Sequence, residues 1–356
     1  MSDRVPLTVA DLQELLSYIP ADNRETWVAV AMGVKSEFGE AGFDDWLTWS
    51  KNDKSFDAAA AKSVWKSCRK GGSGAGRLIN LAKASGWAPR REPMTAEEKR
   101  RLNAEAEARR VVRQAEIEAD EQKHAAMREA VAAACQLIWD KHCKPTGSSA
   151  YLARKGVQGF GIGFFDYTVV LSIDDARLRC DVWAGSEVKA FFNNLPKPRP
   201  DSSSFLMFKP GAIAVPLRDA AGKLWSLQAI NEQGTKLFPK YGRKSGCFHL
   251  IAGEATDVLG IAEGYATAAS VHMATCLDLP LGMGKTPSWP VAVAIDSGNL
   301  LPVARAMREL NPDVSIYLAA DDDPTVKGNP GRAKAEAAAL AIDGVAVFPI
   351  IPGEPA

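Results

Sequence analysis

Two acidic motifs in the last hundred residues follow apolar runs. Glu263 comes after one run and the aspartates 321–323 come after another. Carboxylate oxygens are the ligands that Mg²⁺ prefers, and adjacent aspartates repel one another unless a cation or hydrogen bonds compensate. The motifs therefore predict a site for Mg²⁺ or Mn²⁺ at Glu263 and the aspartates 321–323, suited to phosphoryl transfer. A lone acid at a strand end can equally cap the next helix, which leaves a second role open for Glu263.

The segments around these acids alternate between strand-like and helix-like patterns. The predicted strands are 258–262, 291–295, 314–319 and 345–348, and the predicted helices are 266–274, 300–310 and 332–342. Such a βαβ series forms a parallel sheet covered by helices. Functional groups in these sheets gather at the carboxyl ends of strands. Asp296, at another predicted strand end, is expected to cap a helix, with membership of the acidic site as the alternative.

The rest of the chain divides into three further predicted parts, which makes the fold class multidomain α and α/β. Residues 1–90 show helical spacing of apolar side chains, and five tryptophans (Trp27, Trp46, Trp49, Trp65 and Trp87) are expected in their core rather than as base-stacking surfaces. Residues 91–135 are rich in both charge signs and predict a long helical linker, opened by a capping box of Thr95 and Glu98. Residues 136–254 predict an α+β subdomain with a hairpin at 213–230, and residues 255–356 the parallel sheet.

Composition restricts the classes of partner and location. The chain has 356 residues, 43 Lys and Arg, and 43 Asp and Glu, so any surface that attracts phosphates must be local. Six scattered cysteines without a CxxC pair predict no zinc site, although Cys135, His142 and Cys143 could supply ligands. No signal peptide or apolar run of membrane length is apparent, and we expect a cytoplasmic protein without membrane contact.

Several motifs resemble known families. The strings IAEGYATA at 261–268, ADDDP at 320–324 and GNPG at 328–331 resemble the Toprim domain of primases and topoisomerases. Through this resemblance Glu263 matches the conserved glutamate, and Asp321 and Asp323 match the DxD pair.

Upstream motifs are similar to primases of the bacterial DnaG type, in the variant that phages and plasmids carry. These are YLARKGV at 151–157, the hairpin VPLRD at 215–219 and the basic stretch KLFPKYGRK at 236–244. The resemblance implies that five basic residues contact nucleic acid or nucleotide, with a solvated loop as the alternative for the last four: Arg218, Lys236, Lys240, Arg243 and Lys244. WVAVAM at 27–32 and WLTWS at 46–50 resemble the PriCT-type helical domain of replication proteins.

These resemblances imply a DNA primase that works in a bacterial host on a single-stranded DNA template with nucleoside triphosphates and a separate helicase. Two alternatives stay open: a non-catalytic factor that binds single strands and recruits a helicase, and a Toprim nuclease. The family's zinc ribbon is not visible, and only Glu354 could replace its further acids after the last strand. One bound cation is therefore a safer expectation than two.

Overall fold

The computed structural model describes residues 7–68, 75–88, 95–277, 284–320 and 329–349. The chain separates into two compact units, Met1–Gln122 and Lys123–Ala356. No helix in the described ranges is both long and apolar enough to cross a membrane.

The first unit is helical, as predicted. Its helices are α1 Val9–Tyr18, α2 Arg24–Phe38, α3 Phe43–Ser50, α4 Ala58–Ser67 and α5 Ala75–Ala84, followed by α6 Ala96–His142, which continues into the second unit. Polar capping residues mark the first turns of several of these helices. Thr8 Oγ1 accepts a hydrogen bond from the Asp11 backbone amide at 3.1 Å, and the Asp11 carboxylate accepts one from the Thr8 amide at 2.7 Å. The predicted capping box of Thr95 and Glu98 is also present, at 2.9 and 3.2 Å.

The tryptophans form the core of this unit. Trp46, Trp49 and Trp65 are buried, and Trp27 and Trp87 pack against the same cluster. The Trp46 ring centroid lies 5.0 Å from that of Trp27 and 5.2 Å from that of Trp65. The prediction of a core role is confirmed, since rings that contact one another in a small core are not displayed for base stacking.

In the residues that the structure describes, the second unit has three sheets. Its elements are α7 Ala150–Lys155, β1 Gly163–Phe164, β2 Val169–Asp174, β3 Arg179–Ala184, α8 Glu187–Asn193, β4 Ser203–Phe208, β5 Ile213–Arg218, β6 Leu224–Ile230, β7 Lys236–Leu237, β8 His249–Ile251, β9 Val258–Ala262, α9 Tyr265–Thr275, β10 Val291–Val293, α10 Leu300–Leu310, β11 Ser315–Ala319, α11 Pro330–Leu340 and β12 Val345–Val347. The strand orders are β1-β5-β6-β7, β3-β2-β4 and β12-β11-β9-β10-β8. The predicted hairpin is β5 with β6, and both of its strands are confirmed.

The five-stranded sheet is mainly parallel. Strand β9 pairs in parallel with β10 and β11, and β11 pairs in parallel with β12. The predicted βαβ series is therefore confirmed in these strands. Strand β8 was not predicted as part of this sheet, yet it pairs antiparallel with β10, Val291 opposite Ile251. Such an edge strand is common on otherwise parallel sheets, but three residues carry too little pattern to reveal their partner.

Helix α6 runs past residue 135, where the predicted linker ends. Met127, Val131, Cys135 and Ile138 are fully buried and belong to the core that covers β2 and β4. Their spacing of four, four and three residues places them on one helical face. The last part of the charged helix is thus a core element of the second unit.

Candidate functional site

Three parallel strands end side by side in the second unit. Ala262, the last residue of β9, is opposite Val293 of β10 and Ala319 of β11. The amide of Ala294 donates to the carbonyl of Ala262 at 2.8 Å, which extends the pairing by one residue. Glu263 follows Ala262 directly and is partly buried. The register therefore places Glu263 at the carboxyl edge of the sheet, the usual location of functional groups in such folds.

The chain on either side of Glu263 is anchored. Strand β9 is buried from Leu259 to Ala262, and α9 begins two residues after Glu263 with the buried Tyr265. The Tyr265 hydroxyl donates to the Gln158 carbonyl at 3.0 Å and accepts from the Phe160 amide at 2.6 Å. Burial raises the pKa of Tyr265 to about 12, so it stays a neutral anchor at neutral pH. Sequence reasoning missed this role because both partners lie more than 100 residues upstream.

The predicted partners of Glu263, Asp321 and Asp323, lie outside the described residues. Among the residues that are described, no three His, Cys, Asp or Glu side chains form a group able to hold a metal ion. Glu263 supplies one carboxylate of the predicted set, and carboxylate oxygen is the donor type that Mg²⁺ favours. The three-acid metal site stays a prediction.

Two of the predicted basic residues lie at the same edge. An ideal Cβ built on Gly264 would lie 3.3 Å from Lys236 Nζ, so the ammonium group sits beside the residue that follows Glu263. Lys236 is exposed, and no carboxylate in the described part of the chain lies within 4 Å of it. Lys244 Nζ lies 3.0 Å from Asp296 Oδ2, just beyond the end of β10. Positive groups from the basic stretch and Glu263 therefore share one edge of the sheet.

Asp296 has two contacts. Its Oδ1 accepts from the Asn299 amide at 3.1 Å, which is the predicted helix-capping role. Its Oδ2 forms the ion pair with Lys244, which was not predicted. The two residues are 52 positions apart, and local sequence patterns carry no signal for such a pair.

Lys240, another of the predicted basic residues, contacts Asp175. Its ammonium group pairs with the carboxylate of Asp175, which also accepts from the Tyr241 hydroxyl at 2.9 Å and from Lys123 at 3.2 Å. Asp175 is only 7% exposed. Burial by itself raises the pKa of Asp175, but the hydrogen bonds from Lys240, Tyr241 and Lys123 outweigh burial and lower it to about 2. Lys240 thus has a structural contact that competes with its predicted contact to phosphate.

Replacing Asp175 with asparagine is expected to lower the free energy of unfolding of the second unit by about 2 kcal/mol at pH 7, the equivalent of the pKa shift. Because the pKa is lowered on folding, the wild type has this stabilisation in full above about pH 5 and loses it as the pH falls toward 2. The difference between wild type and variant should shrink over that window in urea unfolding curves. Asp181→Asn is the control, since its exposed pair with Arg179 is worth less than about 1 kcal/mol. A difference that does not change with pH would contradict this assignment.

Arg243 and Arg218 contact the β5–β6 hairpin. The Arg243 guanidinium lies 4.8 Å from the Trp225 ring centroid and 3.9 Å from Asp219 Oδ2. Arg218 Nη1 donates to the Gly222 carbonyl at 3.0 Å. The five predicted basic residues therefore separate into two groups: Lys236 and Lys244 contact residues that follow β9 and β10 at the carboxyl edge of the sheet, and the other three bind other parts of the fold. Their roles toward nucleic acid and nucleotide stay predictions.

The possible zinc ligands, Cys135 and His142 in α6 and Cys143 directly after it, have other environments. Cys135 is fully buried, and burial raises the pKa of its thiol to about 12. Burial likewise raises the pKa of Cys143 to about 12. His142 Nδ1 lies 2.9 Å from the Tyr167 hydroxyl. Thiols that stay protonated are poor metal ligands, because the thiolate is the form that binds zinc.

Comparison with known proteins adds an independent finding for the helical unit. Residues 12–82 match the family model Primase C terminal 2 (PriCT-2). This PriCT-2 match covers the segment in which the resemblance to a PriCT-type domain was recognised. It includes Trp27, Trp46, Trp49 and Trp65 of the tryptophan core, whereas Trp87 lies beyond it.

Two curated proteins extend the similarity. Over 149 residues, 39% of this chain, it is 46% identical to a DNA primase TraC of Escherichia coli, and over 144 residues, 38% of this chain, it is 44% identical to a second DNA primase TraC of that organism. The chain is therefore related to DNA primases over these stretches. It spans only 13% and 9% of the length of these relatives.

Two solved structures show weaker likeness. The primase fragment of the bacteriophage T7 primase-helicase protein is 14% identical, with a TM-score of 0.28. The match covers 40% of this chain and 54% of the fragment's chain. The DnaG primase catalytic domain bound to ssDNA is 15% identical, with a TM-score of 0.34. The match covers 66% of this chain and 75% of that domain's chain.

Proposed function

We propose that this chain is a DNA primase that synthesises short primers on single-stranded DNA in phage or plasmid replication. The observation that carries the proposal is the position of Lys236 Nζ beside Gly264, at the carboxyl edge of the sheet where Glu263 follows β9. A carboxylate for a divalent cation next to an ammonium group for phosphate is the chemistry that nucleotidyl transfer needs. The stretches that are 46% and 44% identical to the two DNA primase TraC proteins support the same activity.

Each predicted residue has a proposed part in this reaction. The 3′-hydroxyl of one nucleotide attacks the α-phosphate of the next, and pyrophosphate leaves. Glu263, Asp321 and Asp323 would hold Mg²⁺ or Mn²⁺. When bound, such an ion activates the hydroxyl and neutralises charge on the phosphates. Lys236 and Lys244 bind the phosphates electrostatically and orient the nucleotide at the edge.

The proposed partners follow from this reaction. They are a single-stranded DNA template, nucleoside triphosphates and a separate helicase that exposes the template, in the cytoplasm of a bacterial host. Arg218, Lys240 and Arg243 are proposed to contact the template or the nucleotide, and for Lys240 this contact requires release from Asp175.

The direct test supplies circular single-stranded DNA, labelled ribonucleotides or deoxyribonucleotides, and Mg²⁺ or Mn²⁺, with and without a replicative helicase. We expect short products whose synthesis depends on both template and metal. Normal binding of single strands with no product under any of these conditions would overturn the primase proposal and favour the non-catalytic factor. Cleavage of the DNA in place of synthesis would favour the nuclease.

Lys236 should bind phosphates more directly than the other residues of the basic stretch, because it has no carboxylate partner among the described residues. Replacing Lys236 with methionine is expected to weaken binding of nucleoside triphosphate about tenfold, the loss of one charge-assisted contact. The measurement is a titration of labelled ATP at several salt concentrations. Lys189→Met, an exposed lysine on α8, is the matched control. Equal affinities of the two variants would remove Lys236 from the site.

A further inference from the structure

The turn after β10 has an unusual backbone. Ile295 is buried and has a φ of +79°, a conformation that β-branched residues rarely adopt. Such strained positions persist only where surrounding contacts enforce them, and they cluster at functional sites. The strained backbone therefore indicates that the turn from Ile295 to Asn299 does more than connect β10 to α10.

Asn299 enforces this turn. It is 3% exposed, and its Nδ2 donates to the carbonyl of Ala294 at 2.8 Å and to that of Cys247 at 2.9 Å. Its Oδ1 accepts from the Gly246 amide at 2.9 Å. One buried side chain thus links the turn to Gly246 and Cys247, two and three residues after Lys244.

Two lysines from separate segments contact adjacent residues of this turn. Lys244, from the basic stretch, pairs with Asp296 at 3.0 Å. Lys334, an exposed residue of α11, donates from Nζ to Ser297 Oγ at 3.1 Å. The turn therefore receives an ammonium group from each of two chain segments, and it follows β10, the neighbour of β9.

The charges at this turn are not balanced in the described part of the chain. Asp296 offsets Lys244, whereas Ser297 is neutral and no described carboxylate lies within 4 Å of Lys334. A hydroxyl fixes the position of an ammonium group without neutralising it. Lysine binds phosphate as a point charge, so a lysine fixed in this way is suited to an anion.

We propose that Lys334 and Lys244 form a two-lysine subsite for the polyphosphate of a nucleoside triphosphate, with Ser297 and Asp296 as positioning residues. This inference rests on the proposed function and assigns Lys334 to it as a new binding residue. Two lysines that contact adjacent residues of one turn suit a ligand with several linked phosphates better than a single phosphate.

The test measures binding of ATP by equilibrium titration in the presence of Mg²⁺, which does not require catalysis, and then the KM and kcat of primer synthesis. Lys334→Met should raise both the dissociation constant and KM about five- to tenfold and leave kcat within about twofold. Ser297→Ala should raise the dissociation constant about twofold to threefold in the wild type and not at all in the Lys334→Met background, because it acts through Lys334. Lys334→Arg, which keeps the charge, should restore most of the affinity.

The outcomes separate the subsite from the proposed function. If the wild type binds ATP and Lys334→Met weakens that binding, but no primers form, the subsite stands and the primase proposal fails. If primers form normally and Lys334→Met changes neither KM nor the dissociation constant, the subsite is wrong. The subsite is also wrong if Lys334→Met loses affinity for single-stranded DNA but not for ATP. It is likewise wrong if the wild type binds no ATP.

Discussion

Replacing Glu263 with glutamine is expected to lower primer synthesis about a thousandfold or more. The substitution keeps the size of the side chain and removes its charge, so the strand and helix on either side should fold as in the wild type. A divalent cation supplies several kcal/mol of transition-state stabilisation, and about 4 kcal/mol corresponds to a factor of a thousand in rate.

The measurement is incorporation of labelled nucleotide on single-stranded DNA at several Mg²⁺ and Mn²⁺ concentrations. Glu254→Gln is the matched control, because Glu254 is an exposed glutamate just before the amino end of β9 and should leave the rate unchanged. On the sequence resemblance, Asp321→Asn and Asp323→Asn should have losses comparable to that of Glu263→Gln. Synthesis by Glu263→Gln at the wild-type rate would remove Glu263 from the catalytic site.

Replacing Asn299 with alanine is expected to lower the free energy of unfolding of the second unit by about 3 kcal/mol. The substitution leaves two carbonyls, of Ala294 and Cys247, and the amide of Gly246 without their partner. Each buried polar group left unsatisfied costs about 1–3 kcal/mol, and relaxation with entry of water recovers part of the sum. The strained backbone at Ile295 would also lose the contacts that enforce it.

Guanidinium unfolding measures the loss, and hydrogen exchange of peptides around Gly246 locates it. Asn194→Ala is the control, because Asn194 is exposed at the end of α8 and should change stability by less than about 0.5 kcal/mol. Asn299→Ala should also bind ATP more weakly than the wild type under conditions where the variant remains folded. A change in stability no larger than that of the control would show that Asn299 does not hold the turn.

Local patterns predicted the secondary structure well. Strand β9 has the predicted bounds, the hairpin strands β5 and β6 appear where the short β-runs and the Asp219–Gly222 turn predict them, and the capping box of Thr95 and Glu98 forms. These features depend on residues within a few positions of one another. Propensity, periodicity and caps carry that information in the sequence itself.

Contacts between distant segments were not predicted. Strand β8 joins the sheet of β9 as an edge strand. Met127 to Ile138 of the charged helix contribute to a hydrophobic core, whereas the sequence predicted a linker up to residue 135. Lys240 was predicted to bind phosphate, but it pairs with Asp175, which lies 65 residues away. No local pattern specifies which of many acids a given lysine will contact, because the choice depends on chain packing over the whole unit.

The sequence by itself determined the acidic motif at Glu263, the alternation of strands and helices that places this residue at a strand end, and the helical PriCT-type segment. Only the tertiary structure decided which basic residues share that edge. Lys236 and Lys244 do, and Lys334 joins them through Ser297. The physical reason is that strand ends follow from local propensity, whereas the position of a long flexible side chain is set by the partners that folding brings within reach.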